Sequence, residues 1–299
     1  MDAAQGPAMV TIGCALRLLL FIALTCIACS QASAVITHTT VMRPQFVTFG
    51  DSITQRGFEP GWGSLLANAY QRRADVVSRG YSGYNSRWAL QLLDAVFPQP
   101  SAAAPPPRLA TVFFGANDAA LPDRGSARQH VPLAEFKGNL RAIVQHLHRI
   151  GVPAVVLITP PPISEPDRIT HVLQARRGGG TYGVHLEEPE RTNEVAGQYA
   201  AAVEEVGAEL GLPCLNLWQA FQAEQDWQHR LLSDGLHLTA EGNACLYRLL
   251  QQLIDQRFPA LRVAALPMDA PDHSDIDPTN VQAAFDKHFS RRGGSREEL

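Results

Sequence analysis

Five short β-rich runs alternating with stretches of helical spacing leave few folds open to this chain. The runs are Gln45–Gly50, Asp75–Ser78, Leu109–Phe114, Val155–Thr159 and Cys214–Leu217. Between them, Trp62–Arg73 sets Leu65, Leu66, Ala69 and Tyr70 on one helical face, and Arg87–Val96 reads as a second helix. Leu133–Arg149 carries Phe136, Leu140, Ile143, Val144 and Leu147 at helical spacing and is ended by Gly151. Val195–Leu210 and Ala240–Phe258 follow, the last with Thr239 as N-cap. Such alternation predicts an α/β fold: a parallel five-stranded sheet with helices on both faces and right-handed crossovers. Ligands of such sheets sit beyond the carboxyl ends of the strands. Functional residues are therefore expected directly after the first three strands.

The rest of the chain sets the domain limits. Arg17 precedes an apolar run, Leu18–Ile27, and Ala32-Ser33-Ala34 offers a small-residue cleavage site. Residues 1–34 thus read as a secretory leader, with organelle targeting or a retained anchor as the alternative. A single folded domain is expected over residues 35–262. A polar extension over 263–299, with one weak helix near Val281–Phe289, is expected to form a packed strap and then a disordered end. Residues 98–107, with five prolines, read as an extended, solvated linker. Residues 163–188 are rich in Pro, Gly and Arg without clear periodicity, and a loop that long is often a binding lid.

The net charge of −4 gives no electrostatic reason to expect nucleic acid or an anionic membrane surface as partner. Of five cysteines, Cys14, Cys26 and Cys29 fall in the leader. Cys214 and Cys245 have no metal-ligand spacing and read as free thiols rather than a bridge. Gly178–Gly183 fits G-x-G-x-x-G but follows Arg-Arg rather than a strand, so dinucleotide binding is not expected.

Four loops carry chemistry. Gly50-Asp51-Ser52-Ile53-Thr54 ends the first strand, with the next helix expected some distance on. A serine hydroxyl becomes a nucleophile only beside a base; taken alone, Asp-Ser after a strand is equally a turn or cap. Arg79-Gly80-Tyr81-Ser82-Gly83-Tyr84-Asn85 follows the second strand, and its glycines allow close approach of backbone to a ligand. Gly115-Ala116-Asn117-Asp118 follows the third, where an Asn amide can donate to a developing oxyanion. Ser233-Asp234-Gly235-Leu236-His237 precedes the last helix, and an Asp can fix the tautomer of a His from the same loop. Each alone reads as a turn. Together they lie at one edge of the expected sheet and supply nucleophile, base, orienting acid and oxyanion donors.

These four blocks, in this order, resemble those of the SGNH (GDSL-type) hydrolases. The longer strings Gly61-Trp-Gly63, Arg79–Trp88, Phe113–Asp118, Gln129–Leu133 and Leu232–Leu238 look like the isoamyl acetate-hydrolysing esterase subfamily, and the likeness covers about residues 45–258. The resemblance implies a flavodoxin-like three-layer α/β/α domain and no cofactor or metal. It implies Ser52, His237 and Asp234 as catalytic residues, and an oxyanion hole from the Ser52 and Gly83 N–H groups with the Asn117 amide. The implied activity is hydrolysis of short-chain acyl esters, with a small-molecule ester as partner and no stable membrane partner once the leader is removed. A lipase, lysophospholipase, thioesterase or sugar-ester deacetylase could use the same set. A non-catalytic binding protein on this fold is the alternative of another class; the intact Ser52, His237 and Asp234 argue against it.

Overall fold

The computed structural model describes residues 43–177 and 188–293. The leader read over 1–34, the glycine run at 178–183 and residues 294–299 of the expected disordered end lie outside the described residues. Along the chain come β1 (Gln45–Gly50), α1 (Ser52–Gln55), α2 (Trp62–Ala69), β2 (Asp75–Gly80), α3 (Ser86–Ala89), α4 (Leu93–Val96), β3 (Leu109–Phe113) and α5 (Leu133–Arg149). Then follow β4 (Val155–Ile158), α6 (Glu165–Arg177), α7 (Asn193–Glu209), β5 (Cys214–Leu215), α8 (Leu217–Gln222), α9 (Trp227–Leu231), α10 (Ala240–Arg257) and α11 (Val281–Gly293).

The five strands form one sheet in the order β2-β1-β3-β4-β5, every pairing parallel. Successive strand side chains point to opposite faces, and this period of two builds two cores. Phe46, Leu109, Phe113, Val156 and Ile158 pack with Trp62 and Leu66 of α2 and Leu246, Leu250 and Ile254 of α10. Val47, Phe49, Ala110, Val112, Val155 and Leu157 pack with Leu140, Ile143 and Val144 of α5 and Val203 and Val206 of α7. The result is the expected three-layer α/β/α arrangement. The strand order reverses direction between β1 and β3, and at such a switch point the chain leaves in opposite directions and opens a crevice.

Several expected elements are redrawn. A helix begins at Ser52 itself rather than further on; four residues are too few to show periodicity. The expected helix over 87–96 is broken into α3, a 3-10 turn at Leu90–Leu92, and α4. Helix α2 stops at Ala69, soon followed by Arg72 at φ 63°, and Leu65 is 37% exposed rather than part of the core face. The proline-rich linker is not simply extended: Ser101 and Ala104 exchange backbone hydrogen bonds in a tight turn.

The largest difference is α6, which occupies half of the stretch read as an aperiodic loop. Its start is locally encoded: Glu165 and Asp167 place negative charge in the first turn, and Pro166 has the φ a first turn needs. Its Arg168 and Val172 are buried, so the described part of that stretch is a packed helix. Beyond α10, Tyr70 donates to the Leu261 carbonyl at 2.8 Å, and Asp269 accepts from Arg43 at 2.8 Å and from Arg72 at 3.4 Å. These bonds hold the segment after α10 against the start of the domain. Cys214 and Cys245 are free thiols, and burial pushes the Cys214 thiol up to about 12. No described helix is long and apolar enough to cross a membrane.

Candidate active site

The ends of β1, β2 and β3 lie side by side, since Gly50 registers with both Gly80 and Phe113. Backbone bonds from Tyr81 N–H to the Gly50 carbonyl (2.8 Å) and from Asp51 N–H to the Phe113 carbonyl (3.4 Å) continue the sheet one step past its strands. Ser52, Gly83 and Asn117 each follow one of these ends, so they gather at the crevice between β1 and β3. Asp51 caps α1 by accepting from the Ile53 N–H at 2.9 Å, which sets Ser52 at the first helical position. The side chain of Asp51 is fully buried, and burial raises its carboxyl to about 7, with the nearby Asp118 adding to the rise.

The Asp234–His237 loop reaches the same crevice from before α10. Ser52 Oγ lies 2.9 Å from His237 Nε2, and His237 Nδ1 lies 2.8 Å from Asp234 Oδ2. The other oxygen of Asp234 accepts the N–H groups of Leu236 (3.1 Å) and His237 (2.8 Å), so the carboxylate turns its own loop and holds the ring with one group. Gly235 between them has φ +78°, and a Cβ there would lie 2.4 Å from the Ser164 carbonyl oxygen; the loop closes this tightly on α6 only without a side chain. Thr239 caps α10 by accepting from the Gly242 N–H, as its position in the sequence suggests.

The electrostatics suit a resting base. Burial lowers the pKa of His237 despite the opposing hydrogen bond and charge of Asp234, so the imidazole is neutral near pH 7. Burial works to raise the carboxyl of Asp234, but the His237 ring, the His237 N–H and the Arg168 charge outweigh it and hold it well below the usual carboxylate range. A neutral imidazole whose Nδ1–H is fixed by a carboxylate presents a bare Nε2 to the serine hydroxyl.

Asn117, 4% exposed, donates from its side chain to the Tyr84 carbonyl at 2.9 Å, tying the β3 loop to the β2 loop. Asp118 secures the same pair of loops: its Oδ1 accepts the Ser86 N–H at 2.9 Å and the Ser86 hydroxyl at 2.5 Å. Burial raises the Asp118 carboxyl to about 6. Among the described residues neither the Ser52 nor the Gly83 N–H has a hydrogen-bond partner. A cavity of about 690 Å³ opens beside His237, walled by Ile53, Arg56, Phe58 and Pro60 on one side and Ser233 and Leu238 on the other.

The structure thus brings together all five residues that the sequence singles out, and it adds three that the sequence reading leaves out. Arg168, Glu190 and Arg191 are each at most 5% exposed. Arg168 donates to the Asp234 carbonyl at 3.1 Å and lies 3.2 Å from Asp234 Oδ2. Glu190 Oε1 receives Arg168 at 2.5 Å and Arg191 at 2.8 Å. Burial opposes ionisation of Glu190, but the two guanidinium charges keep its carboxyl below its ordinary value. Nothing periodic marks these three. Their one sequence signal is charge in a stretch that otherwise reads as loop. Among the described residues no group of three or more His, Cys, Asp or Glu is placed to hold a metal ion.

The profile of the GDSL-like lipase/acylhydrolase family matches residues 48–245. A GDSL esterase/lipase of Arabidopsis thaliana is 49% identical over 249 residues, covering 82% of this chain and 99% of the relative. An isoamyl acetate-hydrolyzing esterase 1 homolog of Rattus norvegicus is 38% identical over 250 residues, covering 83% of this chain and 94% of the relative. Among solved structures, a lipase/acylhydrolase from Enterococcus faecalis superposes with a TM-score of 0.52 at 27% identity, over 72% of this chain and 97% of that one.

Proposed function

This chain belongs to the GDSL-like lipase/acylhydrolase family and is a hydrolase acting on ester bonds, and from that premise we propose that it cleaves short-chain acyl esters through a Ser52 acyl-enzyme. The observation that carries the proposal is the unbroken chain from Ser52 Oγ to His237 Nε2 (2.9 Å) and from His237 Nδ1 to Asp234 (2.8 Å).

His237 takes the Ser52 proton as Oγ attacks the ester carbonyl. The tetrahedral oxyanion is held by the Ser52 and Gly83 N–H groups and by Asn117, which spends one of its two amide hydrogens on Tyr84 and keeps the other for the substrate. Asp234 stabilises the imidazolium without itself taking the proton. Collapse expels the alcohol, protonated by His237. Water then enters, is deprotonated by His237 and attacks the acyl-enzyme, and the acid leaves with Ser52 restored. No cofactor enters these steps.

Two observations support small esters over long-chain lipids. The curated relatives include isoamyl acetate-hydrolyzing esterase homologs, and the cavity beside His237 is bounded by charged and polar groups as well as Phe58 and Leu238. The test is hydrolysis of p-nitrophenyl esters from acetate to palmitate, beside Ser52→Ala. Highest kcat/KM on the shortest esters, abolished in the variant, is the expected result. A rise toward palmitate would move the substrate to lipids, and full activity in Ser52→Ala would overturn the mechanism.

A further inference from the structure

The proposed chemistry uses Asn117 and Gly83, but a primary amide and a glycine loop do not orient themselves. An Asn side chain can turn over by 180°, exchanging donor for acceptor at little intrinsic cost, and a glycine at φ +80° has wide backbone freedom. Both are held by one buried group. Arg191 Nη2 donates to Asn117 Oδ1 at 3.1 Å and to Gln129 Oε1 at 2.6 Å. Its Nε donates to the Ala116 carbonyl at 2.7 Å, and its Nη1 to Glu190. Because Gln129 accepts from Arg191, its amide nitrogen must face the other way, where it donates to the Gly83 carbonyl at 3.0 Å.

We propose that Arg191 is a positioning residue for the oxyanion hole, acting through Asn117 and through Gln129 on Gly83, and that Glu190 and Arg168 link it to Asp234. This rests on the Ser52 mechanism above. A cation on Oδ1 forbids the flipped amide, since the flip would set N–H against guanidinium. It also polarises the amide, making the remaining N–H a stronger donor. A guanidinium suits the task because its planar fork reaches Ala116, Asn117, Gln129 and Glu190 at once, which an ammonium cannot.

The cluster is also balanced in charge. Two guanidiniums, Arg168 and Arg191, meet two carboxylates, Glu190 and Asp234, with Glu190 shared between the cations. A buried cation is costly unless paired and hydrogen-bonded, and here both cations have such partners, Glu190 serving them through Oε1 while its Oε2 is buried without a partner. One end of the cluster touches the acid that orients the base, and the other touches the amide that meets the oxyanion. The two halves of the site, which come from loops 74 residues apart between Arg191 and Asn117 and 66 apart between Arg168 and Asp234, share one rigid support.

The test is a double-mutant cycle of Arg191→Lys with Asn117→Ala on p-nitrophenyl acetate, with kcat and KM taken per folded protein and Ser52→Ala alongside. In the wild-type background Arg191→Lys is expected to lower kcat about 10- to 100-fold, part of the effect of losing a whole oxyanion donor, with KM within about threefold. In the Asn117→Ala background the same substitution is expected to cost markedly less, because one of its two targets is gone and only the Gln129 route to Gly83 remains. The acid limb of the pH profile should stay in place, since the His237–Asp234 pair is untouched. Equal losses in the two backgrounds, or a loss seen only as a smaller folded fraction, would overturn the proposal. Should Arg191→Lys not fold, Gln129→Met leaves the buried charges intact and must still lower kcat at constant KM; an unchanged kcat would overturn it. Residual full activity in Ser52→Ala marks failure of the underlying mechanism instead, so the two are told apart.

Discussion

Replacing Asp234 by Asn tests the geometry of the base with almost no change of shape. The amide has two orientations, and the structure chooses between them. Asp234 Oδ1 receives two backbone N–H groups, from Leu236 and His237, so the amide oxygen must occupy that position. The NH₂ group is then forced toward His237 Nδ1, 2.8 Å from the present Oδ2. Nδ1 must become the acceptor, the ring proton moves to Nε2, and Nε2 then faces Ser52 as a donor rather than a base. In a serine protease triad this wrong tautomer costs about 10⁴-fold in kcat, or about 5 kcal/mol. The same order is expected here, because the ring has no second described carboxylate within hydrogen-bond reach. The assay is steady-state hydrolysis of p-nitrophenyl acetate, with thermal unfolding as control, since the loop-closing backbone bonds survive. A folded variant that keeps kcat within tenfold of the wild type would refute the reasoning.

Other substitutions and conditions follow from the same contacts. The base must be neutral to act, and burial lowers His237, so the acid limb of kcat/KM should fall below the ordinary 6.5; a limb above that value would contradict the assigned environment. Asn117→Ala should lower kcat by about 10²- to 10³-fold in a folded protein, the usual cost of one oxyanion donor, measured with the same ester at saturating concentration. Asp51 titrates at about 7 in the fold against an ordinary 3.8, so its protonated form stabilises the fold at low pH. That stability is lost progressively as pH rises from about 4 through about 7, about 4 kcal/mol in all at 1.36 kcal/mol per pH unit, of which about 3 kcal/mol falls above pH 5. Denaturant unfolding at pH 5 and pH 8 should therefore show Asp51→Asn losing less stability with rising pH than the wild type, and an identical loss would contradict it. Gly235→Ala should strongly reduce activity, since its Cβ would press on the Ser164 carbonyl at 2.4 Å and a positive φ costs a non-glycine about 1 to 2 kcal/mol; unchanged kinetics would show that the loop tolerates the shift.

The parts of this fold that the sequence reveals are those governed by local rules. Past the exposed Gln45, strands β1, β3 and β4 are buried on both faces and read as short runs of aliphatic, aromatic and β-branched residues, polar only at Thr48 and Thr111. Helix α5 shows its stripe because one face alone is buried. The functional loops are legible because a parallel sheet puts its ligand edge after each strand. Helix α6 escapes notice because its buried face carries Arg168 beside Val172, and a charged residue at a buried position breaks the apolar pattern that marks a helix. Its opening residues Ser164-Glu165-Pro166-Asp167 carry the start signal, and capping logic applied there would have found it. Glu190 and Arg191 follow the same rule in stronger form. Their meaning lies in partners such as Gln129 and Ala116, 62 and 75 residues away from Arg191, and no periodicity encodes a contact at that distance. Short helices such as α1 are set by one capping side chain, below the length at which spacing can be read.

The most direct test of Ser52 as nucleophile is to trap the acyl-enzyme. Mixing the protein with p-nitrophenyl acetate, quenching in acid within the first turnovers and mapping the peptides by mass spectrometry should find one acetyl group on Ser52, absent in Ser52→Ala. Steady turnover with no acetyl on Ser52, or with the acetyl on another residue whose loss abolishes activity, would contradict the account.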